Sequence, residues 1–203
     1  MRRKPTQLLF GALAAICFAQ EDSGHKNQLA LGLGGIPALS RSDTPRLDAG
    51  SGVAFQVNYG RRFFKGRKVA LYGEINALAN PLRDVSSSIP TATHDFASLY
   101  ITPGIRVKFL PTSRISPYAL VGGGYADYEQ STTRIDGQPS SVSRELARGV
   151  FDFGGGLDYQ LFRLFGLRGE VRDFVSGNPN LNVALSSRMQ HNIVASGGIS
   201  VRF

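Results

Sequence analysis

The sequence predicts an all-β chain: an eight-stranded, antiparallel, up-and-down transmembrane β-barrel, preceded by a cleaved signal peptide. Three observations predict it. An export-type leader opens the chain, period-two alternation recurs eight times behind it, and the connections between alternating segments are long and short by turns. The chain also closes in mid-alternation, on Gly197-Gly198-Ile199-Ser200-Val201-Arg202-Phe203. Termini usually fray into polar tails unless something ties them down, so this last strand is expected to be the closing seam of a sheet.

Arg2, Arg3 and Lys4 form the positive region of the leader, Leu8 to Phe18 its apolar run, and Cys17-Phe18-Ala19 its cleavage site. The apolar run of 11 residues is well short of the roughly 20 that a spanning helix needs. Cys17 invites a lipoprotein reading, but Ile16 stands where that signal requires a small residue. Cleavage after Ala19 would divide the chain into a signal peptide, 1–19, and a barrel domain, 20–203. It would also remove the only cysteine, leaving no disulfide and no cysteine metal site.

The same cleavage lowers the formal charge from +8 to +5. A basic chain raises the question of nucleic acid, which an exported protein does not meet, so no nucleic-acid partner is expected. No later segment reaches 18 uninterrupted apolar residues. A membrane protein with this profile crosses with strands.

The eight segments are read as follows. The first, 28–35, sets Leu29, Leu31 and Leu33 against Ala30, Gly32 and Gly34; the second, 51–61, sets Val53, Phe55, Val57 and Tyr59 against Ala54, Gln56 and Asn58. The third, 68–79, sets Leu71, Gly73, Ile75 and Ala77 against Tyr72, Glu74 and Asn76. The fourth, 96–109, sets Leu99, Ile101, Ile105, Val107 and Phe109 against Tyr100, Thr102, Arg106 and Lys108. The fifth, 116–128, contains Gly122-Gly123-Gly124, which leaves its facing open. The sixth, 150–161, sets Phe151, Phe153, Leu157 and Tyr159 against Asp152, Asp158 and Gln160. The seventh, 166–174, sets Leu167, Gly169 and Val171 against Arg168, Glu170 and Arg172. The eighth, 191–203, sets Ile193, Ala195, Ile199, Val201 and Phe203 against Asn192, Ser196, Ser200 and Arg202.

Strands of this length with one apolar and one polar face match tilted transmembrane strands, whereas strands of soluble sandwiches are shorter. Pro103 fits worst, because a closed barrel has no edge to absorb a missing donor; a bulge is expected at Pro103-Gly104. Segments 36–50, 80–95, 129–149 and 175–190 are long and polar, while 62–67, 110–115 and 162–165 are short. That alternation is the asymmetry of outer-membrane barrels, with short periplasmic turns, longer extracellular loops and both termini periplasmic. A lipocalin-type soluble barrel is the structural rival, and it would bury its apolar face instead.

Aromatic residues are expected to form two girdles at the lipid–water interfaces. Phe63, Phe64, Phe109, Tyr118, Phe162, Phe165 and Phe203 would lie at the short-turn end, and Phe96, Tyr128, Phe151 and Phe174 at the long-loop end. Trp is absent.

With the leader, the eight alternating strands and the terminal segment in view, the chain resembles the small eight-stranded outer-membrane barrels of the OmpA transmembrane-domain and OmpX-like group. The stretch from Ser196 to Phe203 looks like that family's C-terminal assembly signal, carried by Ser196, Gly198, Val201 and Phe203. The resemblance implies that the barrel-assembly machinery reads the last strand by pairing with its free edge. No peptidoglycan-binding domain is expected beside the barrel in this sequence, so cell-wall tethering is not carried over from the resemblance.

The polar faces place Glu74, Arg106, Lys108, Asp152, Asp158, Arg168, Glu170, Arg172 and Arg202 inside. An eight-stranded barrel is only wide enough for side chains to fill, and buried charges are costly unless paired. A packed ion-pair network that plugs the lumen is therefore expected, with Glu170 and Arg172 at its centre; a narrow passive channel for ions or small solutes is the alternative. Gly154-Gly155-Gly156 makes room for large lumenal neighbours rather than cradling phosphate. Arg61, Arg62, Lys65, Arg67 and Lys68 cluster at the first short turn, where they could meet anionic phospholipid headgroups.

Enzyme chemistry has little support. His25, His94 and His191 are dispersed and make no metal-binding spacing. His191 has Ser186 and Ser187 nearby but no acid close in sequence. Lipid A deacylase barrels carry a His-x-Ser pair on a strand, which neither His94-Asp95-Phe96 nor His191-Asn192-Ile193 supplies. No catalytic residue, metal or cofactor is expected. The sequence thus reads as a monomeric outer-membrane barrel contacting lipopolysaccharide and phospholipid. Its role would be envelope integrity or surface interaction through the long loops, with Arg134, Arg144 and Arg148 of segment 129–149 as contact residues. A lipid A-modifying enzyme is the remaining, weaker reading.

Overall fold

Alternation of side chains across a strand puts every second residue on one face, and eight such strands close here into a ring. The computed structural model describes residues 24–37, 39–41, 47–141, 143–177, 181 and 189–203. The expected leader with Cys17, and Ser186 and Ser187, lie outside the described residues. The strands are β1 (Asn27–Ile36), β2 (Leu39–Arg41), β3 (Leu47–Ala49), β4 (Gly52–Lys65), β5 (Val69–Ser87), β6 (Asp95–Phe109), β7 (Ile115–Gln130), β8 (Glu145–Gln160), β9 (Phe165–Gly177) and β10 (Met189–Arg202).

Eight of these form the barrel, each antiparallel to its sequence neighbour, while β2 and β3 form a small ribbon on the upper part of β5. The ring closes between β10 and β1 in the register Leu29↔Val201, Leu31↔Ile199 and Leu33↔Gly197. Asn27 and Phe203 finish that seam by exchanging two backbone hydrogen bonds, at 2.9 and 3.0 Å.

The packing is inverted relative to a soluble barrel. Leu33, Phe55, Ile75, Ile105, Phe153, Leu157, Val171 and Ile199 are exposed on the outer face, whereas Glu74, Arg106, Asp152, Asp158 and Arg172 are buried inside. The lipocalin alternative fails on this point, because its apolar face would point inward. No helix among the described residues is long and apolar enough to cross a membrane.

Several expectations are corrected. The strands run further into the long-loop end than alternation indicated: β5 continues to Ser87 and β8 starts at Glu145. Beyond the apolar band both faces of a strand can be polar, so pairing continues where the sequence pattern has faded. Pro103-Gly104 carries no bulge. Pro103 pairs with Ile75 of β5, and the ladder to β7 merely lapses between Ile101↔Tyr125 and Gly104↔Gly122, resuming in the same register. Register shifts lie instead at Arg62/Phe64 and Asn80/Arg83.

The aromatic girdles are also redrawn. Phe63, Phe64, Phe109, Phe162 and Phe165 are exposed at the short-turn end, and Phe151 faces outward near the other end. Tyr118, Phe96, Tyr128 and Phe174, however, are buried in the lumen. Their position parity explains it: Phe96 alternates in phase with Tyr100 and Arg106, and Phe174 with Arg172.

Candidate functional site

The lumen holds the expected charged residues in one connected group. Glu74, Arg106, Lys108, Asp152, Asp158, Arg168, Glu170 and Arg172 are all buried and come from β5, β6, β8 and β9. Four carboxylates face four cations. Arg172 contacts three acids, with Nη2 2.7 Å from Glu74 Oε1, Nη1 2.8 Å from Asp152 Oδ2 and Nε 2.9 Å from Glu170 Oε1. The planar guanidinium suits this role, since its five donors form a fixed fork.

Asp158 is the converse node, nearer the short-turn end. Lys108 Nζ lies 2.6 Å from Asp158 Oδ2, Arg168 Nε 2.8 Å from Oδ1, and Arg106 Nη1 3.7 Å from Oδ2. Arg106 links the nodes: its Nε is 2.9 Å from Glu74 Oε2, an ion contact off the hydrogen-bond direction, and its Nη2 donates to Gln28 Oε1 at 3.0 Å. Its guanidinium also lies over the rings of Tyr72 and Tyr118, 4.6 and 5.3 Å from their centroids, a favourable cation–π arrangement for a buried cation.

Neutral side chains complete the layer. Tyr118 donates to Glu170 Oε2 at 2.8 Å, Gln56 to Glu170 Oε1 at 2.6 Å, and Ser196 to Gln56 Oε1 at 2.6 Å. Gln56 lies on the face that alternation already set against the apolar one, and Gln28 shares the parity of Ala30, so alternation could have nominated both; Tyr118 lies on the strand whose facing the glycine run left open. Small residues let the layer fit: a Cβ on Gly60 would meet Arg106 Nη2, and one on Gly156 would meet the Tyr118 hydroxyl. Arg202 is only half-buried and donates to Gln160 Oε1 at 2.8 Å rather than to an acid.

A second layer of different chemistry lies toward the long-loop end. Tyr100 and Phe174 rings sit 4.8 Å apart, Tyr100 and Tyr128 6.0 Å apart edge to face, and Phe96 and Tyr128 6.2 Å apart. Above them Ile36, Val85, Ala92 and Leu181 continue the cluster, with Ile89 and Ile135 against it. The loops are tied together there: Thr93 N donates to Leu181 O, His94 N to Thr133 O and Ile135 N to Ala92 O.

The fifth strand's open facing is settled by Ser116, Tyr118, Leu120, Ala126 and Tyr128, which point inward on both sides of the glycine run. The bulge of β5 turns Arg83 inward as well, a residue that alternation missed. Of the expected loop contacts, Arg134 pairs with Asp136, exposed Arg144 pairs with Glu129, and Arg148 lies on β8 rather than in a loop. His191 does have an acid, Asp173 of β9, at 2.7 Å, which only cross-strand pairing brings close; His94 lies 2.9 Å from Asp95.

In the terminal segment, Gly198 lies against the Leu31 carbonyl and Val201 pairs with Leu29. Thus Ser196, Gly198, Val201 and Phe203 all lie along the β10–β1 seam or reach into the lumen beside it. Between the strands at the long-loop end, a cleft of about 340 Å³ is lined by Pro81, Asp95, Glu129, Gln130 and Arg144.

No protein-family model matches the chain, and no curated protein matches it by sequence. Solved structures do match. Neisserial surface protein A superposes with a TM-score of 0.60 at 14% identity, over 90% of this chain and 100% of that one. The attachment invasion locus protein Ail of Yersinia pestis gives 0.53 at 15% identity, over 88% and 99%. OprG of Pseudomonas aeruginosa gives 0.53 at 14% identity, over 90% and 99%. The chain therefore has the fold of the small eight-stranded outer-membrane β-barrels.

Proposed function

We propose that this protein is a non-enzymatic, monomeric outer-membrane barrel with an envelope-integrity or surface-interaction role and a lumen that does not conduct. The observation that carries the reading is the pair of stacked closures: a charge-balanced ion-pair layer below and an aromatic, loop-capped layer above. An ion entering from either end would have to displace buried salt bridges or a packed aromatic cluster, and both are costly. A narrow porin-like path has no comparable support.

The exposed apolar outer face supports insertion in a membrane. In this reading residues 1–19 are removed on export, both termini lie in the periplasm, and the barrel-assembly machinery inserts the chain through its last strand. Lipopolysaccharide would meet the long-loop end through exposed Arg144 and Arg148. Anionic phospholipid headgroups would meet Arg61, Lys65, Arg67 and Lys68, which are exposed at the short-turn rim. The His191–Asp173 and His94–Asp95 pairs are the groups on which an enzymatic reading would rest, since a histidine–carboxylate pair can also activate water as a general base; both imidazoles are exposed at the long-loop end of the barrel.

Single-channel recording in planar bilayers tests the closed lumen. The expected record is silent for protein whose folding is verified by its faster gel migration before boiling; discrete conductance steps would overturn the proposal. Mass spectrometry of lipid A, with and without the protein, is expected to show no change.

A further inference from the structure

The four lumenal carboxylates match Arg106, Lys108, Arg168 and Arg172, and Arg83 is left over. It is fully buried, and among the described residues no carboxylate reaches it. Its Nε donates to Gly50 O at 3.0 Å, its Nη1 donates to Asn192 Oδ1 at 2.9 Å, and its guanidinium lies 5.5 Å from the Phe96 ring centroid. Its Nη2 is buried with no acceptor.

This placement is built into the backbone. From Tyr72 to Asn80 the even positions of β5 face the lumen, and by that parity Arg83 would point outward. The register shift between Asn80 and Arg83 leaves both Pro81 and Leu82 exposed and reverses the parity, so that Arg83 and Val85 face inward. Bulges of this kind re-aim a side chain. Here the re-aimed side chain is a cation, delivered into the aromatic half of the lumen rather than to the carboxylates below.

A second donor sits beside it. Asn192 Oδ1 accepts from both Arg83 Nη1 and Gln190 Nε2, the latter at 2.8 Å. Those two donors fix the amide's orientation and leave Asn192 Nδ2, also buried, without an acceptor. Among the described residues the local imbalance is thus one of charge and of hydrogen-bond sense together: a guanidinium that no carboxylate reaches, and two buried N–H groups with no hydrogen-bond acceptor, Asn192 having only the Tyr128 hydroxyl beside it. Buried charges are ordinarily paired, because an unpaired one is expensive.

We propose that Arg83 and Asn192 form a binding site for one small inorganic anion of halide size, at the long-loop edge of the aromatic layer. The anion neutralises Arg83 and accepts from its Nη2 and from Asn192 Nδ2. With Nε and Nη1 of Arg83 already donating to Gly50 O and Asn192 Oδ1, only two N–H groups remain, which suits a compact monatomic ion rather than an oxyanion with several acceptors to satisfy. By holding Arg83 against Gly50, it also fastens the start of β4 and the first long connection to β5. The site does not depend on whether the lumen conducts.

The experiment compares thermal unfolding of the full-length folded barrel in sodium chloride and in sodium gluconate at equal ionic strength. It is paired with an anomalous-scattering map of crystals grown in sodium bromide. Chloride is expected to raise the unfolding midpoint by roughly 3 °C, as mass action predicts for a site well above half-saturation. Arg83→Met is expected to abolish that difference, and bromide is expected to give a peak in contact with the Arg83 guanidinium. Equal midpoints in the two salts for the native protein, an undiminished difference in Arg83→Met, or a water or carboxylate in place of the bromide peak would each overturn the proposal. Should Arg83→Met fail to fold, the two measurements on the native protein decide alone.

Discussion

Arg172 on β9 and Glu74 on β5, 98 positions apart in sequence, meet across the lumen with Nη2 2.7 Å from Oε1. The pair joins nearly opposite walls of the barrel, and the same guanidinium holds Asp152 and Glu170. A buried network of this kind is not itself strong evidence of stability, since desolvation offsets most of the attraction. Its consequence is asymmetric: removing one member leaves several uncompensated charges.

Arg172→Met is therefore expected to destabilise the barrel by about 3–5 kcal/mol, more than Glu74→Gln, which leaves Arg172 with two acids. Urea titration followed by the folded and unfolded gel bands measures the difference. Equal effects of the two substitutions would contradict the central position given to Arg172.

If the lumen is closed as proposed, the two closures act in series. Tyr100→Ala with Tyr128→Ala opens only the aromatic layer and is expected to remain silent in planar bilayers, and Arg172→Met alone likewise. The triple variant is expected to show conductance steps. Current through either partial variant would show that one layer alone had sealed the lumen.

Neighbouring glycines on the closing strand make unequal demands. A Cβ on Gly198 would overlap the Leu31 carbonyl across the seam, whereas the nearest atom to one on Gly197 is Arg168 O at 4.0 Å. Gly198→Ala is expected to lower the yield of folded, heat-modifiable protein severely, and Gly197→Ala to leave it near that of the native chain. Refolding into lipid vesicles, scored on gels, distinguishes them.

Deletion of Phe203 removes the two backbone hydrogen bonds with Asn27 at the end of the seam. Membrane insertion in cells is expected to slow several-fold, while the stability of the barrel that does fold changes by only about 1–2 kcal/mol, the net worth of two hydrogen bonds. Pulse-chase insertion and urea titration report the two quantities separately. A native insertion rate would remove Phe203 from the proposed assembly signal.

Alternation within each strand was enough to establish the strand count, the inverted packing and the inward facing of Glu74, Arg106, Asp152, Asp158 and Arg172. Facing is a local property, set by parity within one strand, so a single sequence carries it. The aromatic residues show how local rules can be overridden by a plausible pattern: Phe96 and Phe174 had inward parity all along, yet their position near strand ends suggested a girdle, and Tyr128 lies on the strand whose glycine run left its facing open.

What only the tertiary structure decided is partnership. Which carboxylate meets which guanidinium depends on the stagger of strands around the closed ring, and His191 meets Asp173 only because β9 and β10 pair. Arg83 is the sharpest case, since the bulge at Pro81-Leu82 reverses parity in the middle of a strand. A bulge depends on pairing with the neighbouring strand, a non-local relationship that local alternation does not encode.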